Sequence, residues 1–591
     1  MTTLALAPVG FLSMFSIFHP YDDEGYFLVA LRDYVVGHAN YSQIYGPFFY
    51  EAMGGVFRVF GLEVTTDNGR IVTLVIWLLA SLIGGVTVLT LTRNLWLGAA
   101  AEFITFHALS ALTSEPMHPS GLIGLLLVSL GALAAYQSRF PRAATALVGA
   151  VVAAITLVKI NVGAFAALAV AFAFAATLPR QWRQVLLPAM GIVLVAAPLL
   201  LMARLFSLEW VWALALLISL SAAAVSVAGY VAGPPRIAGT GVIWLIAGGA
   251  ALTVACLGIA AVGGLRPSDL VDAVASAQKL PQLFVLPANV SVPDVLWAAL
   301  SLAAAGGILL ARLGVRASPA IPAFLRIAAG AFTLFAVLLL PSWYFVLALP
   351  LAWVAVLPPP GDHENPTDSM ARFLLPALAV METLQVYPVA GTQQWLAALL
   401  LVPVGAITFN DGLRQLQGWA AARHNQSFLK VAASLAPGAL IVTFAVWPLF
   451  AYYAASAYAS GQPLGLAGAG LMRLPPDQAS ALQSLTRAID QDCTSLITLP
   501  RMPSLNLWTG RAGIAQLNDG IWIFSLDAAQ QQSIVSQVQG RPGMCVVISQ
   551  AVLNFEAEGR PVPRRPLVDY IDTNFQPEAT FGIYELLVKR P

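Results

Sequence analysis

Three carboxylates stand in a row at Asp22-Asp23-Glu24, just after an apolar run from Leu4 to Phe18. They belong to the stretch His19-Pro20-Tyr21-Asp22-Asp23-Glu24-Gly25-Tyr26, where a membrane helix would emerge into water. A carboxylate at that margin can take the proton of an attacking hydroxyl. Clustered carboxylates can also bind sugar hydroxyls or hold a hard divalent cation. A plainer reason for acids there is the helix dipole, which favours them in a first turn. Their company favours chemistry. Further on, Tyr45-Gly46-Pro47-Phe48-Phe49-Tyr50 reads as a turn wrapped in aromatics. Asp22 and Asp23 are therefore the candidate bases.

Other polar residues interrupt apolar sequence. Lys159 sits between two apolar runs, as a snorkelling turn lysine or as a clamp for phosphate. His118, in Ser114-Glu115-Pro116-Met117-His118-Pro119, either caps its own turn or touches substrate. Between Leu384 and Trp395, Gln385, Tyr387 and Gln393 suit sugar recognition by amide hydrogen bonds and ring stacking. An interfacial aromatic anchor beside a Pro-Gly turn is the plainer reading. No GxxxxGK[ST] or HExxH pattern occurs, so ATP-driven export and zinc peptidase chemistry have no support.

The elements that must position these groups are membrane helices. The 591 residues are 58% hydrophobic and 10% charged, against about 25% charged in soluble domains. A net charge of +1, with no Lys/Arg-rich run, gives no argument for nucleic acid. A span needs about 20 apolar residues. Fifteen are expected, near 4–18, 71–92, 97–113, 120–137, 143–158, 162–178, 185–204, 209–231, 239–263, 294–311, 320–340, 343–357, 371–385, 395–409 and 431–455. Basic residues then gather in alternate loops, at Arg93, Arg139, Arg142, Arg180, Arg183, Arg236, Arg312, Arg316, Arg372, Arg414, Arg423 and Lys430. The positive-inside rule puts the N-terminus in the cytoplasm and everything after about residue 456 outside. Residues 20–70 form a first outer loop with interfacial helices, and the loop 264–293 is a candidate lid. Residues 456–470 read as a flexible linker and 471–591 as a small extracytoplasmic α/β domain, with helices from Pro476 and Asp527. Strands are expected at Ser495–Leu499, Met544–Ser549 and Phe581–Val588. Two of the three cysteines, Cys493 and Cys545, are confined to that domain, which suggests a disulfide formed in an oxidising compartment.

Residues 19–50 resemble the first outer loop of the GT-C glycosyltransferases, which are polytopic enzymes that use polyprenyl-phosphate-linked sugars. Many carry an Asp-Glu pair after the first helix, then a small residue and aromatics, as in Asp23-Glu24-Gly25-Tyr26. A Tyr-Gly-Pro-aromatic turn often follows, as in Tyr45-Gly46-Pro47-Phe48. Among them the chain is most similar to the bacterial group related to aminoarabinose and protein-mannose transferases. In that group a Lys-Gly-Pro-like turn often closes a helical hairpin. Here Lys159-Ile160-Asn161-Val162-Gly163 keeps the Lys and lacks the Gly-Pro.

The resemblance implies an inverting hexosyl- or pentosyltransferase of the bacterial inner membrane. Its donor would be a polyprenyl-phosphate sugar and its acceptor a glycan, lipid or protein. Asp23 becomes first choice of base and Asp22 second. Glu24, Tyr45, His118, Lys159, Gln385, Tyr387 and Gln393 would bind substrate. No cofactor is implied; a divalent metal at the double Asp is the less favoured option. A transporter or flippase of lipid-linked glycan is the rival class, which calls for buried charges and broken helices in matched halves.

Overall fold

The computed structural model describes residues 2–590 except 38–40, 42–44, 233–240, 272–284, 312–319, 340–343, 358–368, 512, 514–525 and 558–564. The expectations for Arg236, Arg312 and Arg316, and for residues 272–284 of the lid 264–293, fall on residues outside that set.

The chain is a multi-pass helical membrane protein. Among the described residues ten helices are long and apolar enough to cross a bilayer, and four shorter apolar ones accompany them. In chain order the first eight are α1 (Thr2–Met14), α2 (Asp23–Val35), α3 (Pro47–Phe60), α4 (Thr66–Thr92), α5 (Leu95–Ser110), α6 (Ser120–Tyr136), α7 (Pro141–Val158) and α8 (Ile160–Thr177). Then come α9 (Arg180–Met202), α10 (Glu209–Val231), α11 (Gly241–Val262), α12 (Val292–Ala311), α13 (Ala320–Leu339) and the short α14 (Tyr344–Ala348). The last four are α15 (Ser369–Glu382), α16 (Gln393–Ala422), α17 (Gln426–Ala445) and α18 (Trp447–Ser460).

Three of the fifteen expected spans change character, among them 343–357, which is the short α14 followed by a 3-10 helix over Leu349–Val356. The first, α1, rises only about 20 Å at 1.5 Å per residue, less than a bilayer's roughly 30 Å core. The expected span 371–385 is α15, whose residues Met370–Arg372 and Phe373–Leu375 are buried in the protein. Its Arg372 is not a loop cation. It forms a buried pair with Asp411 of α16, at 2.6 and 2.9 Å. Apolar α16 is buried without interruption from Leu396 to Leu413, so its neighbours pack around that stretch.

The linker is also different. Residues 456–460 belong to α18, and Gly461–Gly470 lies against the membrane body instead of swinging free. Asp67 N–H donates to Gly468 O at 2.9 Å, and Leu471 N–H donates to the Asp67 carboxylate at 3.1 Å. A two-stranded ribbon, β1 (Gln462–Pro463) with β2 (Arg473–Leu474), closes this loop.

Beyond it stands the small α/β domain. Its helices are α19 (Pro476–Asp492), α20 (Ser504–Thr509), α21 (Ala528–Gln539), α22 (Gln550–Ala557) and α23 (Pro566–Asn574). Strands β3 (Ser495–Leu499), β4 (Met544–Ile548), β5 (Phe575–Phe581) and β6 (Tyr584–Lys589) form one sheet in the order β3-β4-β6-β5. Asp527 is the N-cap of α21 and builds a capping box with Gln530. The single strand expected at Phe581–Val588 is a hairpin whose turn begins where the strand was expected to start. Cys493 is bonded to Cys545, tying the end of α19 to β4.

Candidate active site

The three consecutive acids are not solvated, as their place at the water margin suggested. Asp22 is 2% and Glu24 3% exposed, and the Asp23 side chain is 16% exposed. Burying a carboxylate demands a partner, and each has a different one.

Asp22 is the N-cap of α2, in the left-handed region at φ 47°, and its side chain accepts from Gly25 N–H at 2.9 Å. Its remaining acceptor capacity goes to the tail domain. Ser504 N–H donates to Oδ2 at 2.6 Å and Ser504 Oγ–H to Oδ1 at 2.7 Å. Gly25 is what permits the approach, since a Cβ there would meet Ser504 N at 2.3 Å. Burial pushes the Asp22 carboxyl up to about 7, against the pull of those hydrogen bonds. Asp22 thus docks the tail, with hydrogen bonds from Gly25 and Ser504 on its carboxylate.

Glu24 accepts two hydrogen bonds from Arg70 of α4, at 2.8 and 2.6 Å. Arg70 also donates to the carbonyls of Met14 and Ile17. The carboxylate expected to bind substrate instead locks the end of α1 to α2 and α4.

Asp23 lies in a cluster of ionisable side chains. It pairs with Arg501, from the tail loop after β3. One ligand atom each of Asp23, Glu115 and His118 lies within 4.8 Å of the other two. Burial raises the Asp23 carboxyl, opposed by Arg501. Burial, and then the charge of Asp23, pushes Glu115 up to about 8. Thr392, just before α16, donates its hydroxyl to Glu115 Oε2 at 3.0 Å.

His118 accepts from Ser120 N–H on Nδ1 at 3.1 Å. Its ring proton therefore sits on Nε2, 2.9 Å from the Tyr45 hydroxyl. Burial, Lys159 and Arg501 keep the ring neutral. Tyr45 is set by its turn: Gly46 N–H donates to Val158 O at 2.8 Å, and a Cβ on Gly46 would meet Leu157 O at 2.2 Å. Glycine lets the turn lie directly on the end of α7.

Lys159 occupies the break between α7 and α8, with its Nζ 5.4 Å from the centre of the Tyr45 ring. Burial lowers it to about 8, while Glu115 and Glu382 hold its charge up. Glu382 ends α15, and neither of its buried carboxylate oxygens has a hydrogen-bond partner. Both polar side-chain atoms of buried Gln385, and Oε1 of Gln393, are likewise unpartnered. Tyr387 is buried 6.4 Å from the Trp210 ring. Unsatisfied buried polar groups are uncommon in native proteins, and here they cluster in the connection from α15 to α16 that reaches Glu115.

Behind the α7–α8 break lies a cavity of about 380 Å³ lined by Gly149, Val152, Thr156, Leu157, Val170 and Leu245 among others. Its lining comes from α7, α8 and α11 and is almost wholly apolar. Thr156 and Leu157 of this lining stand three and two residues before Lys159.

Sequence reasoning missed Glu115, Glu382, Thr392 and Arg501 as site residues. Glu115 had a signal, three residues before His118 in the same turn. Arg501 had none, because nothing local in the tail points to a residue of α2.

The three carboxyl and imidazole groups could hold a divalent cation, yet two features fit that poorly. Both nitrogens of His118 are engaged, and a guanidinium already stands against Asp23.

Neither a protein-family model nor a curated protein sequence matches the chain. Among solved structures, 99% of the chain aligns with 97% of ArnT from Cupriavidus metallidurans bound to undecaprenyl phosphate, at a TM-score of 0.46 and 13% identity. The whole chain aligns with 74% of the Archaeoglobus fulgidus oligosaccharyltransferase tethered to an acceptor peptide, at a TM-score of 0.38 and 12% identity. At such scores the functional reading rests on the geometry above.

Proposed function

We propose that the protein is a GT-C-type glycosyltransferase that moves a sugar from a polyprenyl-phosphate donor to a glycan, lipid or protein hydroxyl at the outer face of a bacterial inner membrane. The tail then lies outside and the N-terminus in the cytoplasm. One juxtaposition carries this reading: a half-buried acid pair, Asp23 and Glu115, feels the charge of Lys159, and Lys159 directly follows α7, a helix that lines an apolar cavity. The cavity is within the usual range of about 300–1,000 Å³ for ligand sites.

The isoprenoid lies along α7, α8 and α11 and its phosphate meets Lys159. The acceptor hydroxyl gives its proton to Asp23 as its oxygen bonds to the anomeric carbon. The bond from that carbon to the phosphate oxygen breaks, and the lipid phosphate leaves with the electron pair. One displacement inverts the anomeric centre. Glu115, raised to about 8, keeps its proton near neutral pH, so the pair carries its negative charge on Asp23. Glu382, Gln385 and Gln393 offer unmet hydrogen-bonding capacity to the sugar. Lys159 stabilises charge that grows on the leaving phosphate.

No divalent cation takes part in this scheme. A chelator should leave turnover unchanged; loss of turnover that an added divalent ion restores would recast Asp23, Glu115 and His118 as metal ligands. The decisive assay uses purified full-length protein, a labelled polyprenyl-phosphate sugar and cell-envelope material as acceptor. Label should move to the acceptor with release of polyprenyl phosphate. Wild type that releases none under these conditions would overturn the assignment.

A further inference from the structure

The membrane body is not the sole source of cations at this site. Arg501 comes from the tail domain, and the structure builds a place for it. Its loop is held by Met502 N–H donating to Thr498 Oγ1 at 2.8 Å. Two residues on, α20 is fastened to the membrane body by Ser504 on Asp22 and by Trp508 Nε1 donating to Thr66 Oγ1 at 3.1 Å. Between these anchors the guanidinium lies over the Tyr26 ring at 5.7 Å and pairs with Asp23. Glu115 and Glu556 add to the negative field around it, and His118 feels both Arg501 and Lys159.

The fork is not saturated. Arg501 Nε is buried and has no hydrogen-bond partner. A guanidinium carries five donors in a rigid plane, a match for phosphate or carboxylate oxygens. Asp23 meets Nη2 and leaves Nε without a partner. A buried unpaired donor on one cation, with a second cation acting on the same His118, is an arrangement a phosphate ester completes.

We propose that Arg501 is a ligand of the donor's phosphate, so that the anion subsite is shared between Lys159 of the membrane hairpin and Arg501 of the tail domain. The proposal rests on the sugar-transfer reading and deepens it: the tail is part of the active site. Arg501 would touch both the base and the leaving group, neutralising charge as it develops on the phosphate.

The test uses full-length protein in detergent and three probes: polyprenyl phosphate, the matching polyprenol and inorganic phosphate. Arg501→Ala should weaken polyprenyl phosphate binding about ten-fold or more and leave polyprenol binding as in wild type. Arg501→Lys, which keeps charge and loses the fork, should fall between the two. It also serves as the second variant should the alanine form fold poorly. Inorganic phosphate should compete weakly in wild type and not in Arg501→Ala. A role limited to positioning Asp23 predicts something else. Asp23→Asn would then weaken lipid-phosphate binding as Arg501→Ala does, whereas a phosphate ligand predicts binding as tight or tighter once the neighbouring carboxylate is neutral. If both Arg501 variants bind polyprenyl phosphate as wild type does, while wild type still transfers sugar, this proposal alone falls. If wild type neither binds the lipid phosphate nor transfers sugar, both readings fall.

Discussion

Two buried acid–arginine pairs in this protein differ in how completely they are closed. Arg372 and Asp411 meet through two bonds of 2.6 and 2.9 Å, and Arg372 also donates to Ala355 O at 3.2 Å. Asp411 lies roughly 28 Å along α16 from Thr392, at 1.5 Å per residue. Near Thr392, Asp23 pairs with Arg501, and the surroundings keep unmet capacity on Arg501 Nε, Glu382, Gln385 and Gln393. Glu24 and Arg70, next door to Asp23, belong with the closed kind. Removing one partner of a closed buried pair strands a charge and costs folding energy. An open cluster leaves donors and acceptors for which the proposed substrate would supply partners. Closure, more than burial, separates scaffold from site here.

The sharpest way to break that contrast is to neutralise one acid in each place. Asp23→Asn should lower turnover by about 100-fold or more, the lower end of what a general base contributes, with little change in thermal stability. Asp411→Ala should do the opposite, costing about 3–5 kcal/mol of stability with turnover per folded molecule preserved. A variant at 411 that folds normally but is inactive would erase the distinction.

The pH profile of turnover sharpens it further. The Asp23 carboxyl, raised by burial, must lose its proton for the base to act, so the rate should rise with pH through a value above the ordinary carboxylate range. Lys159, lowered to about 8, loses its charge as pH climbs through that value, so the rate should then fall. The bell should keep its acid limb in Lys159→Arg and lose its alkaline limb. If that variant's alkaline limb stays where it was in wild type, Lys159 is not the group responsible.

Smaller effects separate docking from chemistry. Ser504→Ala removes one hydrogen bond to the Asp22 carboxylate and should cost about 1.5–3 kcal/mol, read as faster proteolysis of the tail. Gln385→Leu should be neutral or slightly stabilising, because it deletes an amide with no partner, and should raise KM for the donor. A Gln385→Leu variant that unfolds would show that the amide is structurally engaged.

Much of this was legible in the sequence, for reasons that also mark the limit. Hydrophobic runs disclose membrane helices because the bilayer acts on composition and length. The helices at Pro476 and Asp527 announce their starts by local capping chemistry, and strands β3 and β4 by their β-branched runs. The acidic triplet was visible as a place where charge needed a reason. What each acid does was not, because its partner is set by the fold: Ser504 stands 482 positions from Asp22. The same holds for Lys159 and Glu382, which meet only because α8 and α15 pack together. Arg372 misled by type, since a basic residue near a helix end reads as a loop cation until its carboxylate on α16 is known.

The bare backbone at Gly25 has a practical meaning. A single methyl group added there by Gly25→Ala has no room against Ser504 and would act as a shim, prising α20 off α2 without altering one charge. Such a chain would keep every ionisable side chain it began with and lose only their alignment. It offers a way to ask whether the outer module must stay seated through a catalytic cycle or lifts to let the acceptor in.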